Sequence, residues 1–200
     1  MKKLLFLSLF LISSASAFAQ HEVGTLSIQP KVGLNIADFR HSGGSSPRYG
    51  LAGGVEVEYQ LKQTFSMSAG VLYSMQGAKS DQTYYTIKTE ERVNVDYINL
   101  PIMANVYVIK GLALKFGVQP AFNVDSRYKI KGPGFGLSGS LTNVGIDVKT
   151  FDFSIPIGLS FEYNNFVIDG RYNYGVTRII SGDDSRNSVF QFTAGYKFCL

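Results

Sequence analysis

Two histidines, His21 and His41, are the most obvious candidates for acid–base chemistry in this sequence. Serines follow His41 within residues 42–46, so a hydroxyl nucleophile and a general base stand close together in the chain, as acyl transfer requires. A histidine in a polar loop is far more often simply solvated, and His21 lies close to the N-terminus. We therefore expect no catalytic triad, no metal cluster and no enzyme activity.

Two further stretches fall short of a ligand site. Asp183 and Asp184, followed by Ser185, lack the spaced oxygen ligands of a calcium loop. The glycine-rich residues 132–136 follow no strand-to-helix pattern, and no lysine–serine pair ends them as in a phosphate-binding loop. We interpret both stretches as loops and expect neither a metal nor a cofactor.

A set of charged residues recurs at positions that alternate with apolar ones. The set comprises Lys31, Glu56, Glu58, Lys115, Asp125, Asp152, Glu162, Asp169, Arg171 and Lys197. On the inner wall of a narrow barrel such charges must neutralise one another through ion pairs and hydrogen bonds. The sequence therefore predicts a lumen that is plugged by a charge network, in a structural role rather than as a gate or proton path.

The elements that position these charges are β-strands. From Leu26 to Ile36 every even residue except Pro30 is aliphatic and the odd ones are mostly polar or small, the period of a strand and not of a helix. Eight such stretches follow one another. Their connections alternate between short ones, at 61–64, 110–111 and 164–165, and long ones, at 40–48, 78–92, 126–150 and about 176–187. Val93 and Val95 fall out of phase with Ile98, so we expect a bulge or a phase change near Asp96.

This pattern predicts an all-β fold, an eight-stranded antiparallel up-and-down transmembrane β-barrel with a periplasmic N-terminus. A soluble barrel with an apolar interior would show the same period. The apolar face is almost free of charge in all eight strands, however, and the polar face is rich in Gly, Ser, Asn and Gln. We therefore expect the apolar face to contact lipid.

The first residues of the chain have the organisation of a secretory signal peptide. Lys2 and Lys3 precede a short apolar run, and Ala17 and Ala19 form an A-x-A cleavage pattern. We predict a signal peptide at residues 1–19 and a barrel domain at residues 20–200. The only cysteine, Cys199, is far from this site, so a lipoprotein anchor is not expected.

The overall charge gives little reason to expect a charged partner. The chain has 19 Lys and Arg against 15 Asp and Glu, and two of the lysines belong to the predicted signal peptide. We therefore expect no nucleic-acid partner.

Three short motifs resemble those of a known family. They are residues 97–102 (YINLPI), 172–175 (YNYG) and 189–198 (VFQFTAGYKF). In their order and spacing, over essentially the whole processed chain, they resemble the PorT-like outer-membrane β-barrel family of Bacteroidetes. The resemblance implies an integral outer-membrane barrel, usually of undefined activity.

The last strand also resembles the signal that the barrel-assembly machinery reads. A polar residue, a glycine and two apolar residues alternate there as Thr193, Gly195, Phe198 and Leu200, with Leu in place of the usual final Phe. We therefore expect the assembly machinery to be a partner during biogenesis.

Two functions stay open at this level. In the first, the barrel is an anchor, and the loops at 78–92 and 126–150 contact a protein, a host surface or lipopolysaccharide. In the second, it is a narrow or gated porin-like channel for small solutes. Outer-membrane lipid and lipopolysaccharide are expected partners in either case.

Overall fold

The computed structural model describes residues 22–40, 45–84, 87–131, 149–179 and 184–200. The predicted signal peptide lies outside these residues. Ten strand segments follow one another, and each pairs with its neighbours in antiparallel fashion. They are β1 (Leu26–Arg40), β2 (Ser45–Lys62), β3 (Phe65–Tyr84), β4 (Ile87–Asn99), β5 (Ile102–Ile109), β6 (Leu112–Lys131), β7 (Phe151–Tyr163), β8 (Phe166–Gly175), β9 (Arg186–Tyr196) and β10 (Phe198–Cys199).

The ten segments occupy eight positions in a closed ring. Segments β4 and β5 are parts of one strand, because both pair with β3 on one side and with β6 on the other. Segments β9 and β10 likewise share one position, since both pair with β1. The β1–β9 ladder closes the ring, and this confirms the predicted eight-stranded antiparallel barrel.

Two irregularities in the wall have local causes. The break between β4 and β5 falls at Pro101, which has no N–H to give to the ladder, although its carbonyl still accepts from the Gly70 amide at 3.0 Å. The expected bulge near Asp96 is present, since the register of β4 on β6 shifts between Asp96 and Tyr97. Val93 and Val95, which suggested a phase change, face the interior on the same side of the strand as the buried Tyr97.

One end of the barrel, here called the turn end, carries the two-residue connections at 63–64, 110–111 and 164–165. The last two are as predicted, whereas the first is shorter than the predicted 61–64 because β2 continues to Lys62. Asn164 and Asn165 adopt positive φ angles of 48° and 68°, which suit the right-handed twist of a tight hairpin. Gly111 does the same with a φ of 85°.

The opposite end, here called the loop end, carries the remaining connections. Residues 78–92 were expected to be a polar loop, and this is wrong for most of them. Segments β3 and β4 stay paired as far as Tyr84 and Ile87, so the segment is a hairpin that continues the wall. Residues up to Lys131 also belong to β6 and not to the following loop.

The outer surface between the two ends is an apolar belt. Its side chains are exposed aliphatic and aromatic residues, such as Val32 at 70 %, Leu51 at 59 % and Ile157 at 59 % exposure. Exposed aromatic residues border it, with Tyr163 and Phe166 at the turn end and Tyr49 at the loop end. Among the described residues, no helix has the length and hydropathy needed to cross a membrane.

Candidate functional site

The middle of the barrel holds a cluster of five buried charges, called here the central cluster. Its members are Lys31, Glu56, Lys115, Asp169 and Arg171. Arg171 donates from Nε to Asp169 Oδ1 at 2.8 Å and from Nη2 to Glu56 Oε2 at 3.3 Å. Lys115 donates to Asp169 Oδ2 at 2.9 Å, and Lys31 pairs with Glu56. Each carboxylate thus has at least two cationic partners.

A second group, called here the turn-end cluster, lies beside the turns. Lys197 Nζ donates to Glu162 Oε2 at 2.7 Å and lies 3.1 Å from Glu58 Oε2. Glu58 also accepts from Ser66 Oγ at 2.7 Å and from the hydroxyl of Tyr107. One lysine therefore joins two carboxylates, and the hydroxyls of Ser66 and Tyr107 stabilise the excess negative charge by hydrogen bonds.

Together the two clusters contain four basic and four acidic groups, all largely shielded from solvent. Buried charges are tolerated only when they are paired and hydrogen-bonded. The central cluster has one cation in excess and the turn-end cluster one anion in excess. The two clusters therefore balance only when they are taken together, and the Arg171–Glu56 contact joins β8 to β2 across the lumen.

Two of the ten predicted charges do not join these clusters. Asp125 follows the register shift between β4 and β6, lies opposite Asp96 on the outward side of the wall near the loop end, and pairs with Arg127 at 2.6 Å. Asp152 is buried, yet its partners are Asn187 Nδ2 at 2.7 Å, the Phe153 amide at 2.9 Å and the hydroxyl of Thr177. The register shift changes the phase of β6, so strand alternation alone gives the wrong face for Asp125. For Asp152 alternation gives the correct face but not the height along the barrel axis, and this height separates it from the clusters.

A layer of amides and hydroxyls lies between the central cluster and the loop end. Asn35 Nδ2 donates to Ser74 Oγ at 2.9 Å and to the Met75 carbonyl at 3.0 Å. Gln119 Nε2 donates to Ser154 Oγ at 3.2 Å on the other side of the ring. These side chains occupy the width of the barrel with short hydrogen bonds.

An apolar cluster, called here the plug, lies in the interior at the loop end. It is formed by Phe39, Ala78, Val95, Tyr97, Ala121 and Ile179. Ile179 comes from the segment after β8 and is only 1 % exposed. Its amide donates to the Ser185 carbonyl at 3.0 Å, and its carbonyl accepts from the Lys149 amide at 2.8 Å. Thr177, bound to Asp152, holds the same segment over the barrel mouth.

Sequence reasoning missed three participants in the interior. Ile179 lies in a segment without a strand pattern, so nothing marked it as buried. Tyr107 lies within a strand pattern, and nothing in the sequence indicates that its hydroxyl binds Glu58. Asp96 is buried beside Tyr73, whose hydroxyl donates to it at 2.6 Å, and beside Arg48 at 3.8 Å. The position of Asp96 next to an expected bulge was the only indication in the sequence that this carboxylate has buried partners.

The residues of the predicted assembly signal lie at the closing strand. Thr193 is buried and Gly195 faces the same side, packed against the Pro30 carbonyl. Phe198 and Leu200 are exposed on the outer face at 52 % and 75 %. Any β-strand alternates its side chains between two faces, so this arrangement does not by itself indicate a signal. The recognition of these residues by an assembly machinery stays a prediction.

The candidates for catalysis and phosphate binding, His21, His41 and residues 132–136, lie outside the described residues, as does Asp183. Within the described part of the chain, no group of three or more His, Cys, Asp and Glu side chains is placed to hold a metal ion.

The sequence profile of a family described as "Outer membrane protein beta-barrel domain" matches residues 18–181 of the chain. A search of curated proteins finds no match.

Two solved structures share the fold. The crystal structure of Ail, the attachment invasion locus protein of Yersinia pestis, in complex with the heparin analogue sucrose octasulfate, aligns with a TM-score of 0.53 at 17 % identity. The alignment covers 88 % of this chain and 100 % of Ail. Neisserial surface protein A (NspA) aligns with a TM-score of 0.51 at 11 % identity over 86 % of this chain and 97 % of its own. At these identities the likeness is one of fold.

Proposed function

Because this chain belongs to the family of outer-membrane β-barrel domains, we propose that it is a membrane anchor with a sealed lumen. In this role the barrel fixes the loop end at the cell surface, where residues 78–92 and 126–150 contact a partner. The loop end is the outer one because barrels of this membrane have short periplasmic turns and longer outer connections.

The filled interior is the observation that supports an anchor over a pore. Two ion clusters, a hydrogen-bonded polar layer and an apolar plug follow one another along the barrel axis. An eight-stranded barrel has room for little more than its own side chains. Opening a path for a hydrated solute would separate paired charges, and the desolvation penalty of unpaired charges makes such a state unfavourable.

The hairpin at 78–92 is a suitable contact element, because its backbone pairing continues beyond the ring. The Ail structure with sucrose octasulfate is a precedent for a barrel of this fold that binds a molecule. For this chain we propose a partner at the same end, either lipopolysaccharide or a protein.

Three finer assignments rest on the sequence. We propose that residues 1–19 are a cleaved signal peptide and that Thr193, Gly195, Phe198 and Leu200 guide barrel assembly. We also propose that the motifs at 97–102, 172–175 and 189–198 place the chain with PorT-like members of the family.

Conductance across a planar bilayer tests the sealed lumen. We expect the purified barrel to give no steady open-channel steps. The variant Ile179→Ala loosens the plug but leaves both ion clusters intact, so it is expected to stay closed as well. Ile168→Ala, which shortens a lipid-facing side chain that is 65 % exposed, serves as the matched control.

Steady steps from the native protein would contradict the anchor and favour the alternative, a narrow channel. Steps that appear only in Ile179→Ala would show that the plug acts as a gate, and they would equally contradict a lumen sealed by its charges.

A further inference from the structure

Two arginines face one another across the seam at which the ring closes. Arg40 of β1 and Arg186 of β9 are direct cross-strand partners, and both lie on the outward face at the loop end. Like charges directly opposite each other destabilise an antiparallel pair. Arg178 lies close by, since Asp184 Oδ1 is 2.6 Å from its Nε and 3.7 Å from Arg186 Nη2.

This group, called here the arginine rim, has more cations than anions among the residues that the structure describes. It holds three guanidinium groups against Asp184 and Asp38, the latter two residues before Arg40 on the same face. An anion with several oxygen acceptors, bound beside these guanidinium groups, would relieve the repulsion.

Arg40 is already held in place for such a contact. Its guanidinium carbon lies 3.7 Å from the centre of the Tyr174 ring, and its Nη2 donates to the Gly175 carbonyl at 2.9 Å. An arginine can stack on an aromatic face and also bind a phosphate through its planar set of N–H donors.

A lipid-facing groove of about 530 Å³ lies on the same side of the barrel. It exists because Gly170, an outward-facing residue of β8, has no side chain between its larger neighbours. Those that line the groove include Leu159, Phe161, Ile168, Tyr172, Phe190 and Phe192. Its lining is almost wholly apolar, which suits a hydrocarbon chain.

The groove and the arginine rim are consecutive along the strands. Phe190 lines the groove, and Arg186 lies four residues further on the same face of β9, which is about 13 Å in a strand. Tyr172 also lines the groove, and its ring centre lies 6.5 Å from that of Tyr174, on which Arg40 stacks. A single amphiphile can therefore reach from one to the other.

From this geometry we infer a binding site for one lipopolysaccharide molecule on the outer wall. A phosphate of its lipid A headgroup contacts Arg40 and Arg186, and one acyl chain lies in the groove at Gly170. The phosphorylated lipid is assigned to the outer leaflet because the arginine rim is at the loop end. The inference deepens the proposed anchor and rests on its orientation, but not on the sealed lumen.

Native mass spectrometry of the detergent-purified barrel tests this site. The probes are lipid A, the same lipid A after enzymatic dephosphorylation, and inorganic phosphate. We expect retention of lipid A and loss of most of that retention after dephosphorylation. The double variant Arg40→Gln/Arg186→Gln should bind lipid A at least about tenfold more weakly, as expected for lost hydrogen bonds to charged groups. Lys110→Gln at the turn end is the charge control.

A second variant, Gly170→Leu, tests the groove. A Cβ at Gly170 would lie 3.5 Å from the ring of Phe192, which is an ordinary contact, so this variant should fold and its side chain should fill the groove. We expect it to weaken lipid A binding severalfold, whereas Gly53→Leu, at an outward glycine elsewhere on the wall, should not.

Unchanged lipid A binding in the double arginine variant would overturn the phosphate contact. Unchanged binding in Gly170→Leu, together with full competition by inorganic phosphate, would overturn the lipid site in favour of a free anion. Gel migration of unboiled samples shows whether each variant is folded. A conducting lumen would refute the sealed anchor and leave these binding results unaffected.

Discussion

At the scale of single residues, Arg171 is the connection on which the central cluster depends. It touches both carboxylates of that cluster, Glu56 and Asp169, through three hydrogen bonds. The two lysines of the cluster have a single charged atom each, whereas the planar guanidinium satisfies two acceptors in fixed directions. Removing it leaves two buried carboxylates with fewer donors in a place that water does not reach.

We predict that Arg171→Met destabilises the barrel by about 3–5 kcal/mol, the usual cost of breaking a buried ion pair from one side. Urea unfolding in lipid vesicles measures this change. Far-UV circular dichroism monitors the unfolding, because the chain has no tryptophan whose fluorescence could report it. Lys110→Met, in an exposed turn, should stay within about 0.5 kcal/mol of the native protein.

The double variant Asp169→Asn/Arg171→Met should lose less free energy of unfolding than the two single variants lose in sum. Each single substitution already breaks the interaction that the two residues share. Strictly additive losses would show that the pair is not coupled and that the cluster is not a network.

The inward direction of most of these charges can be read from the sequence, because a strand alternates its side chains. Lys31 and Glu56 are examples. Their partners cannot be read in the same way, since pairing depends on the stagger of strands around the ring. Asp152 shows this limit, because it faces inward and still lies beyond the clusters, bound to Asn187 and Thr177.

At the scale of elements, inward glycines allow neighbouring strands to curve into a narrow ring. A Cβ at Gly54 would lie 2.1 Å from the Val71 carbonyl oxygen and 2.7 Å from Leu72 Cα. The adjacent Gly53 faces outward, and a Cβ there would meet its nearest atom at 3.5 Å. Two neighbouring glycines of β2 thus differ only in the side of the wall that they face.

We predict that Gly54→Ala destabilises the barrel by about 1–3 kcal/mol, since the added methyl group forces β2 and β3 apart. Gly53→Ala should change the stability by less than about 0.5 kcal/mol. Both values come from the same urea titration. Equal effects of the two substitutions would mean that curvature is not what requires glycine at position 54.

Element boundaries at the loop end were harder to predict than those at the turn end. The turn end has tight two-residue connections with clear chemistry, such as Asn164 and Asn165. At the loop end β3 and β4 continue as a polar hairpin, and a strand with two polar faces has no apolar period by which to recognise it. Ile179 was missed for a related reason, since one buried residue in an irregular segment creates no pattern.

At the scale of the whole molecule, the described strands close into a ring, so that every strand within the apolar belt has a neighbour on both sides. Backbone groups in hydrocarbon must all be paired, and closure achieves this. The interior charges and the apolar belt both depend on it, because neither surface is tolerable in an open sheet.

We predict heat-modifiable migration on a gel, with the unboiled protein running differently from the boiled one. A chain that ends at residue 185 lacks β9 and β10 and serves as the control, since it cannot pair with β1. Identical migration of boiled and unboiled full-length protein, after extraction from outer membranes, would contradict a stable closed barrel.

The seam between β1 and β9 also sets the order in which the molecule can form. Leu34 pairs with Phe192, so the first strand to leave the export machinery waits for nearly the whole chain before its second edge is covered. Contacts this distant in sequence form slowly, and an unpaired edge is a template for aggregation. The period of greatest aggregation risk for this protein therefore comes before the barrel exists, while one edge of β1 is still uncovered.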